Sequence, residues 1–206
     1  MKLLMHPASP NVRAVRVTAA HLDIPLECQL IDAMAGEQSL PDYLAINPNG
    51  LFPVLVDEDF VLWETVPIMQ YIAAKRPGNA LWPPDERRRA DICRWQCWSL
   101  AHWSPALGVY IFENYFKRLK GMGEPNPEVL QNGEPNFHRF ARVLNDQLKK
   151  TPYVAGDVLT LADLSAACCL MYSEPARIPL QRYSEIQEWL LRITALPAWQ
   201  QTEPRH

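Results

Sequence analysis

Apolar positions follow two regimes along this chain. Up to about position 75 they fall in short runs and amphipathic stripes; beyond it they recur at helical spacing only. Residues 2–6 form a short apolar run that predicts a buried strand. Residues 10–22 place Val12, Val15, Ala19 and Leu22 on one face and predict a helix. Ser9 supplies its N-cap and Pro10 its first turn. Asp23-Ile24-Pro25 breaks it. Residues 26–31 read as a near-continuous apolar run, the pattern of an interior parallel strand. Strand, helix and strand in this order make a βαβ unit with a right-handed crossover. The polar segment 32–47 holds at most a short irregular helix at 41–45. Residues 54–56 and 60–62 are short apolar strands joined by Asp57-Glu58-Asp59, an antiparallel hairpin. A helix follows from Thr65 to about Lys75, with Pro67 in the first turn, where its missing N–H has no helical partner.

The composition changes at Arg76-Pro77-Gly78-Asn79 and again at Pro83-Pro84-Asp85. The expected domains are therefore 1–78 and 87–206, with 79–86 as linker. No strand pattern follows. Residues 86–120 form a long helical stretch with Trp95, Trp98 and Trp103, kinked or interrupted at Pro105. Residues 121–135 are a loop running into the next helix, whose stripe is Phe137, Phe140, Leu144 and Leu148. Thr160-Leu161-Ala162-Asp163 resembles a capping box with aspartate in place of Glu or Gln, leading into an apolar helix at 164–172. Further helices are expected at 183–194 and after Pro197. The order βαβ, loop, ββα is that of a thioredoxin-like α/β domain, and an all-helical domain follows it.

Bulk composition narrows the chemistry. The chain has 206 residues, 48% of them hydrophobic, and a net charge of −3. No basic field would draw in nucleic acid. The opening apolar run is too short for a signal peptide, and no stretch approaches the roughly 20 apolar residues of a membrane span. The five cysteines are Cys28, Cys93, Cys97, Cys168 and Cys169. An odd number in apolar surroundings reads as free thiols in a reducing cytoplasm. Cys93 and Cys97 share a helix face, but no His or Cys nearby completes a site, so no metal is expected.

Four features carry more specific chemistry: Ser9-Pro10-Asn11-Val12-Arg13 entering the first helix, the block Asn47-Pro48-Asn49-Gly50-Leu51-Phe52-Pro53-Val54-Leu55, the pair Glu64-Thr65, and Thr160 to Asp163. On these residues the chain resembles a cytosolic glutathione transferase over nearly its whole length, of the serine type (theta-like or bacterial). The resemblance implies a cis peptide between Phe52 and Pro53. Such a bond would aim the Val54 backbone at the cysteinyl backbone of glutathione, as an added strand would pair. Taken alone, Pro53 could equally start an edge strand. Glu64 and Thr65 open a helix, where free amides and the dipole favour an anion. Thr65 suits the γ-glutamyl carboxylate and Glu64 the ammonium; the family's common pair is Glu-Ser, so the hydroxyl is kept. The plainer role is a helix cap with a solvated acid.

Ser9 is the catalytic candidate. A thiol of pKa about 8.5 is only a few per cent thiolate at neutral pH. A hydroxyl donating to sulfur, at the positive end of a helix, shifts that balance. The competing role for Ser9 is the N-cap, and Asn11 is the second candidate for the sulfur. No tyrosine lies near the first strand, and no Cys-x-x-Cys opens the first helix, so tyrosine-type and dithiol mechanisms are not expected. Gln38 and Asn49 are candidates for the glycine carboxylate of glutathione; Leu51 stands where many relatives have a polar residue. The resemblance implies an electrophile pocket of Pro7 and Ala8 facing Trp103, Tyr110, Phe112 and Tyr115, although core or dimer contacts would explain these aromatics as well. The scattered histidines are given no role. The expected protein is a cytoplasmic, homodimeric detoxification enzyme that joins the glutathione thiolate to hydrophobic electrophiles. Glutathione is a co-substrate, and no other cofactor is implied. The rivals are a non-catalytic binding or interaction module, and a glutathione-dependent isomerase, peroxidase or dehalogenase.

Overall fold

The structure is a computed structural model that describes residues 1–203. It divides into two compact units, Met1–Pro84 together with 195–203, and Asp85–Thr194. The expected 87–206 domain is thus not one unit: its final helix belongs with the first. The last three positions of that expectation lie outside the described residues.

The first unit is built on a four-stranded sheet. Its strands are β1 (Lys2–Met5), β2 (Glu27–Leu30), β3 (Val54–Asp57) and β4 (Phe60–Trp63), in the order β2-β1-β3-β4. β1 and β2 are parallel, whereas β3 runs antiparallel to both β1 and β4. Strand alternation sends Leu4 and Val54 to one face, where they pack with Ile31, Tyr43 and Phe52. Leu3 and Leu55, paired and fully buried, point to the other. Helix α1 (Pro10–His21) packs along α3 (Thr65–Ala74); Val12, Val15 and Ala19 of the one and Ile68, Met69 and Ile72 of the other are buried. The short α2 (Pro41–Ile46) supplies Tyr43 to the opposite core. β2 departs from expectation: all its residues are exposed, because it is the edge strand and not an interior one. Its apolar reading came from Leu26 and Ile31, which flank the strand.

The last helix, α10 (Pro197–Gln201), docks on α1. The buried Arg13 guanidinium lies 4.1 Å over the Trp199 ring and donates to Trp199 O at 3.3 Å; Arg16 donates to Thr202 O at 3.4 Å. Cations at a helix C-terminus complement its dipole.

The second unit is helical: α4 (Glu86–Trp98), α5 (Ser104–Ile111), α6 (Lys117–Leu119), α7 (Pro127–Leu148), α8 (Leu161–Cys168) and α9 (Ser184–Thr194). The expected break at Pro105 is a π-helical turn at Ser99–Trp103. A proline lacks the amide its i−4 carbonyl needs, and a widened turn accommodates the mismatch. A second π turn at Phe112–Phe116 was not signalled. α7 begins well inside the expected 121–135 loop. Asn126 caps it, accepting from Glu128 N and Val129 N, and the helix continues through Gly133 and Pro135. Gly133 is there for clearance: a Cβ would sit 2.9 Å from Val109 Cγ1 on α5. The capping box is present at Thr160–Asp163. Buried Asp163 accepts from Val154 N (2.7 Å), Thr160 N (2.9 Å), Thr160 Oγ1 (3.1 Å) and Trp189 Nε1 (3.0 Å). It ties the start of α8 to the preceding loop and to α9.

Candidate functional site

The sheet register gathers the candidates at one end of the first unit. β1 ends at Met5 beside Leu30, the end of β2. Leu4 lies opposite Val54, the start of β3, and Val54 lies opposite Trp63, the end of β4. The segments that leave or enter here are 6–10, 31–40, 47–53 and 64–65. Ligands of open α/β sheets favour this end, beyond the carboxyl ends of the parallel strands.

Ser9 follows β1 in extended conformation, and its amide donates to His6 O at 3.1 Å. Its Oγ accepts from Val12 N at 3.4 Å. That bond is longer than the usual 2.7–3.2 Å of an N–H···O pair. Accepting it leaves the hydroxyl proton available for another acceptor. Pro7, Ala8 and Ser9 are half-buried and Asn11 is exposed at the second position of α1. The His6 ring lies 6.0 Å from Phe52, which links this turn to the start of β3.

The Phe52–Pro53 peptide is cis, as the resemblance implies. Pro53 and Val54 are buried. The turn before them is organised by two residues that the sequence reading passed over. Tyr43 Oη and Asn47 Nδ2 each donate to Leu51 O at 2.8 Å. Burial pushes the Tyr43 phenol up to about 12, so it keeps its proton and donates. Asn47 Oδ1 in turn accepts from Asn49 N and Asn49 Nδ2. The signal for Asn47 was present: an Asn two residues before another turn former is the start of an Asx turn. Asn49 is exposed, but its amide is held by Asn47 rather than turned outward. Gly50, at φ +61°, brings its backbone so near Gln38 that a Cβ would lie 3.2 Å from Gln38 O. Gln38 and Asn49 are therefore on neighbouring segments. Gln38 Oε1 is buried without a partner.

Glu64 precedes α3 at φ 76° and ψ 131°, and its exposed side chain makes no cap bond. A non-glycine residue there costs about 1–3 kcal/mol, the kind of strain that collects at ligand sites. Thr65 is the buried first residue of the helix. The amides of Thr65 and Val66 have no acceptor within the helix, and Pro67 has no amide, so this end is electropositive.

The aromatic candidates belong to the helical unit. Trp103 has no exposed surface; it stacks between Trp98 and Phe137, and its Nε1 donates to Ala166 O at 3.3 Å. Tyr110 is buried edge-on to Phe137. Both are core residues, which corrects their expected place on a pocket wall: the π turn and α5 direct them inward. Phe112 and Tyr115 are more open, Tyr115 stacking on Tyr172.

Comparison with known proteins bears on the fold and the family. The glutathione S-transferase N-terminal domain family matches residues 1–74 and the glutathione S-transferase C-terminal domain family matches 106–197. Glutathione S-transferase 3 of Zea mays is 31% identical over 210 residues, 98% of this chain and 92% of the relative. Glutathione S-transferase D7 of Drosophila melanogaster is 29% identical over 204 residues, 98% of this chain and 88% of the relative. Among solved structures, glutathione transferase F7 from Populus trichocarpa superposes with a TM-score of 0.89 at 25% identity, covering 98% of this chain and 96% of that one.

Proposed function

This chain belongs to the glutathione S-transferase family, and from that premise we propose how its residues divide the work of adding the glutathione thiolate to a hydrophobic electrophile. The γ-glutamyl carboxylate rests on the Thr65 hydroxyl and the free amides of α3. Its ammonium meets the exposed Glu64 carboxylate. The Val54 backbone pairs with the cysteinyl unit beside the cis Phe52–Pro53 bond. Gln38 turns its Nε2 to the glycine carboxylate, with Asn49 on the neighbouring segment. The sulfur then lies at the N-terminus of α1. There the thiol proton passes to solvent, and the Ser9 hydroxyl, polarised by the bond it accepts from Val12 N, donates a hydrogen bond to the thiolate left behind. The thiolate attacks the electrophilic carbon, the C–S bond forms, and the leaving group departs with its electron pair. Pro7 and Ala8 border the approach.

The observation that carries this reading is the register, which brings the exits of β1, β2 and β4 and the entry of β3 to one end of the sheet. Ser9 as the hydrogen-bond donor to the thiolate makes this a serine-type enzyme. A homodimer is supported by the outer strand β4, which leaves Phe60, Val61 and Trp63 exposed at 44%, 42% and 40% on a sheet edge. A cytoplasmic setting is supported by five free thiols. No helix of the described residues is long and apolar enough to cross a membrane.

Calorimetric titration tests the assignment. Glutathione should bind the wild type, and Thr65→Val, which removes only the hydroxyl, should weaken it about tenfold to a hundredfold, the worth of a hydrogen bond to a charged group. A glutathione analogue without the amino group should lose affinity for the wild type but not for Glu64→Gln. A wild type that binds no glutathione sinks the reading.

A further inference from the structure

Helix α4 carries two cysteines one turn apart, and the sulfurs of Cys93 and Cys97 lie 3.9 Å from each other. The helix buries Ile92, Trp95 and Gln96. Cys93 is half-buried beside that face and Cys97 is exposed. The glutathione site uses neither. Arg94, between them, is paired with Asp91.

Two thiols this close have two chemical outcomes, and helix geometry separates them. A disulfide needs Cβ atoms about 3.5–4.5 Å apart. Side chains at i and i+4 of a helix have Cβ atoms about 5–6 Å apart. Joining the sulfurs directly would mean distorting α4 where Ile92, Trp95 and Gln96 anchor it in the core. A single atom bridging the sulfurs asks for no such movement. Two sulfurs bonded at roughly 2.3 Å to one centre stand about 3.8 Å apart if it is tetrahedral and about 3.4 Å if it is pyramidal, as trivalent arsenic is. The 3.9 Å between the sulfurs closes to that by side-chain rotation, without moving the helix backbone.

The donor count selects the bridging atom. A structural zinc ion is held by four protein ligands. Among the described residues there is no group of three or more His, Cys, Asp or Glu that could hold a metal. The site suits a thiophilic centre that needs only two sulfurs and brings its own third substituent. We propose that Cys93 and Cys97 form a dithiol site for monosubstituted trivalent arsenicals, R–As(OH)2 or the oxide R–As=O.

The exchange balances without any redox partner. Two As–S bonds form and the bonds from arsenic to oxygen break. The two thiol protons leave on the displaced oxygen, as two waters from the dihydroxide or one from the oxide, and arsenic stays trivalent. The second sulfur closes the ring from within the same helix. Such intramolecular closure is worth about a hundred- to ten-thousand-fold over one site. Free glutathione, a monothiol, lacks that advantage.

The test titrates the reduced full-length protein with phenylarsine oxide in millimolar glutathione, read by intact mass and by counting free thiols. One equivalent should bind, with loss of two of the five thiols. Dimercaptopropanol should reverse it and glutathione should not. Cys93→Ser and Cys97→Ser should each weaken binding about a hundred- to ten-thousand-fold. Cys28→Ser should change nothing. Cys93→Ala and Cys97→Ala, checked for unchanged glutathione affinity, separate loss of the site from loss of fold. Undiminished binding in any of these single variants at 93 or 97 overturns the proposal. So does stripping by glutathione, or a wild type that takes up zinc or copper(I) but no arsenical.

Discussion

Replacing Ser9 by alanine separates two roles that one oxygen can play. As N-cap, its bond to Val12 N is 3.4 Å long. Loss of a well-made cap costs about 0.5–2 kcal/mol, and a bond this long belongs at the lower end. For a chain of this size about 0.5 kcal/mol lowers Tm by roughly 1–2 °C. As donor to the thiolate, the hydroxyl is worth about 1.5–3 kcal/mol, the range for hydrogen bonds to charged groups. At 1.36 kcal/mol per pKa unit that is about one to two units on the bound thiol. In Ser9→Ala the acid limb of the pH profile of kcat/KM with a chlorinated dinitroarene should therefore move up by about one to two units. Turnover near pH 6.5 should fall about ten- to a hundredfold, and the gap should close at alkaline pH, where the thiol ionises unaided. Ultraviolet absorbance of the bound thiolate gives the same shift without turnover. An unmoved profile beside intact glutathione binding would refute Ser9 as the sulfur's partner and turn attention to Asn11. A fall in Tm of many degrees would show the cap to be the dominant role.

Four further substitutions probe the frame. Asp163→Asn keeps one acceptor oxygen but turns an amide N–H2 toward Thr160 N, leaving that donor unpaired. Stability by urea denaturation should drop about 2–4 kcal/mol, and an unchanged midpoint would contradict the network. Gly133→Ala should lose about 1 kcal/mol net, since overpacking against stiff, β-branched Val109 outweighs alanine's helix preference; Val109→Ala in the same chain should restore it. The Lys75 ammonium first, then the Tyr71 hydroxyl, hold the Asp57 carboxyl below its ordinary 3.8. The unfolded chain then binds more protons than the native one as acid is added. This share of stability is full above the ordinary value and is lost as pH falls through the lower folded one. Lys75→Met should flatten the acid limb of a Tm-versus-pH curve, and an identical limb would count against the pair.

The segments that gather at the end of the sheet were readable from sequence because they are contiguous pieces. Ser9-Pro10, Asn49-Gly50, Pro53-Val54 and Glu64-Thr65 each combine a turn or a helix start with a polar group, and local backbone chemistry decides where they go. What failed was decided by partners far along the chain. A four-residue strand such as β2 does not show whether it will have one neighbour or two; that depends on where β3 and β4 pair. Gly133 and Pro135 look like a loop until Val109 is seen to require the glycine. Aromatic character at Trp103 and Tyr110 signals burial as readily as binding, and the inward turn of α5 settled it. Asn47 was overlooked because its amide acts on the backbone of its own turn, and its neighbours drew attention as ligand contacts.

The clasp between α1 and α10 has a consequence for how the protein is made. Arg13 is an early residue whose carbonyl and indole partners come from Trp199. When the first 84 residues leave the ribosome, the sheet and α1 can form. However, Arg13 then lacks its Trp199 contacts, and the apolar seat of α10 is open. The first unit cannot be finished until nearly the whole polypeptide has been translated, at about 5–20 residues per second. Nascent chains stalled between the two events would expose that seat to chaperones or to each other. The order of synthesis and the order of completion are therefore reversed: the helical half, encoded later, has all its parts before the half that is encoded first.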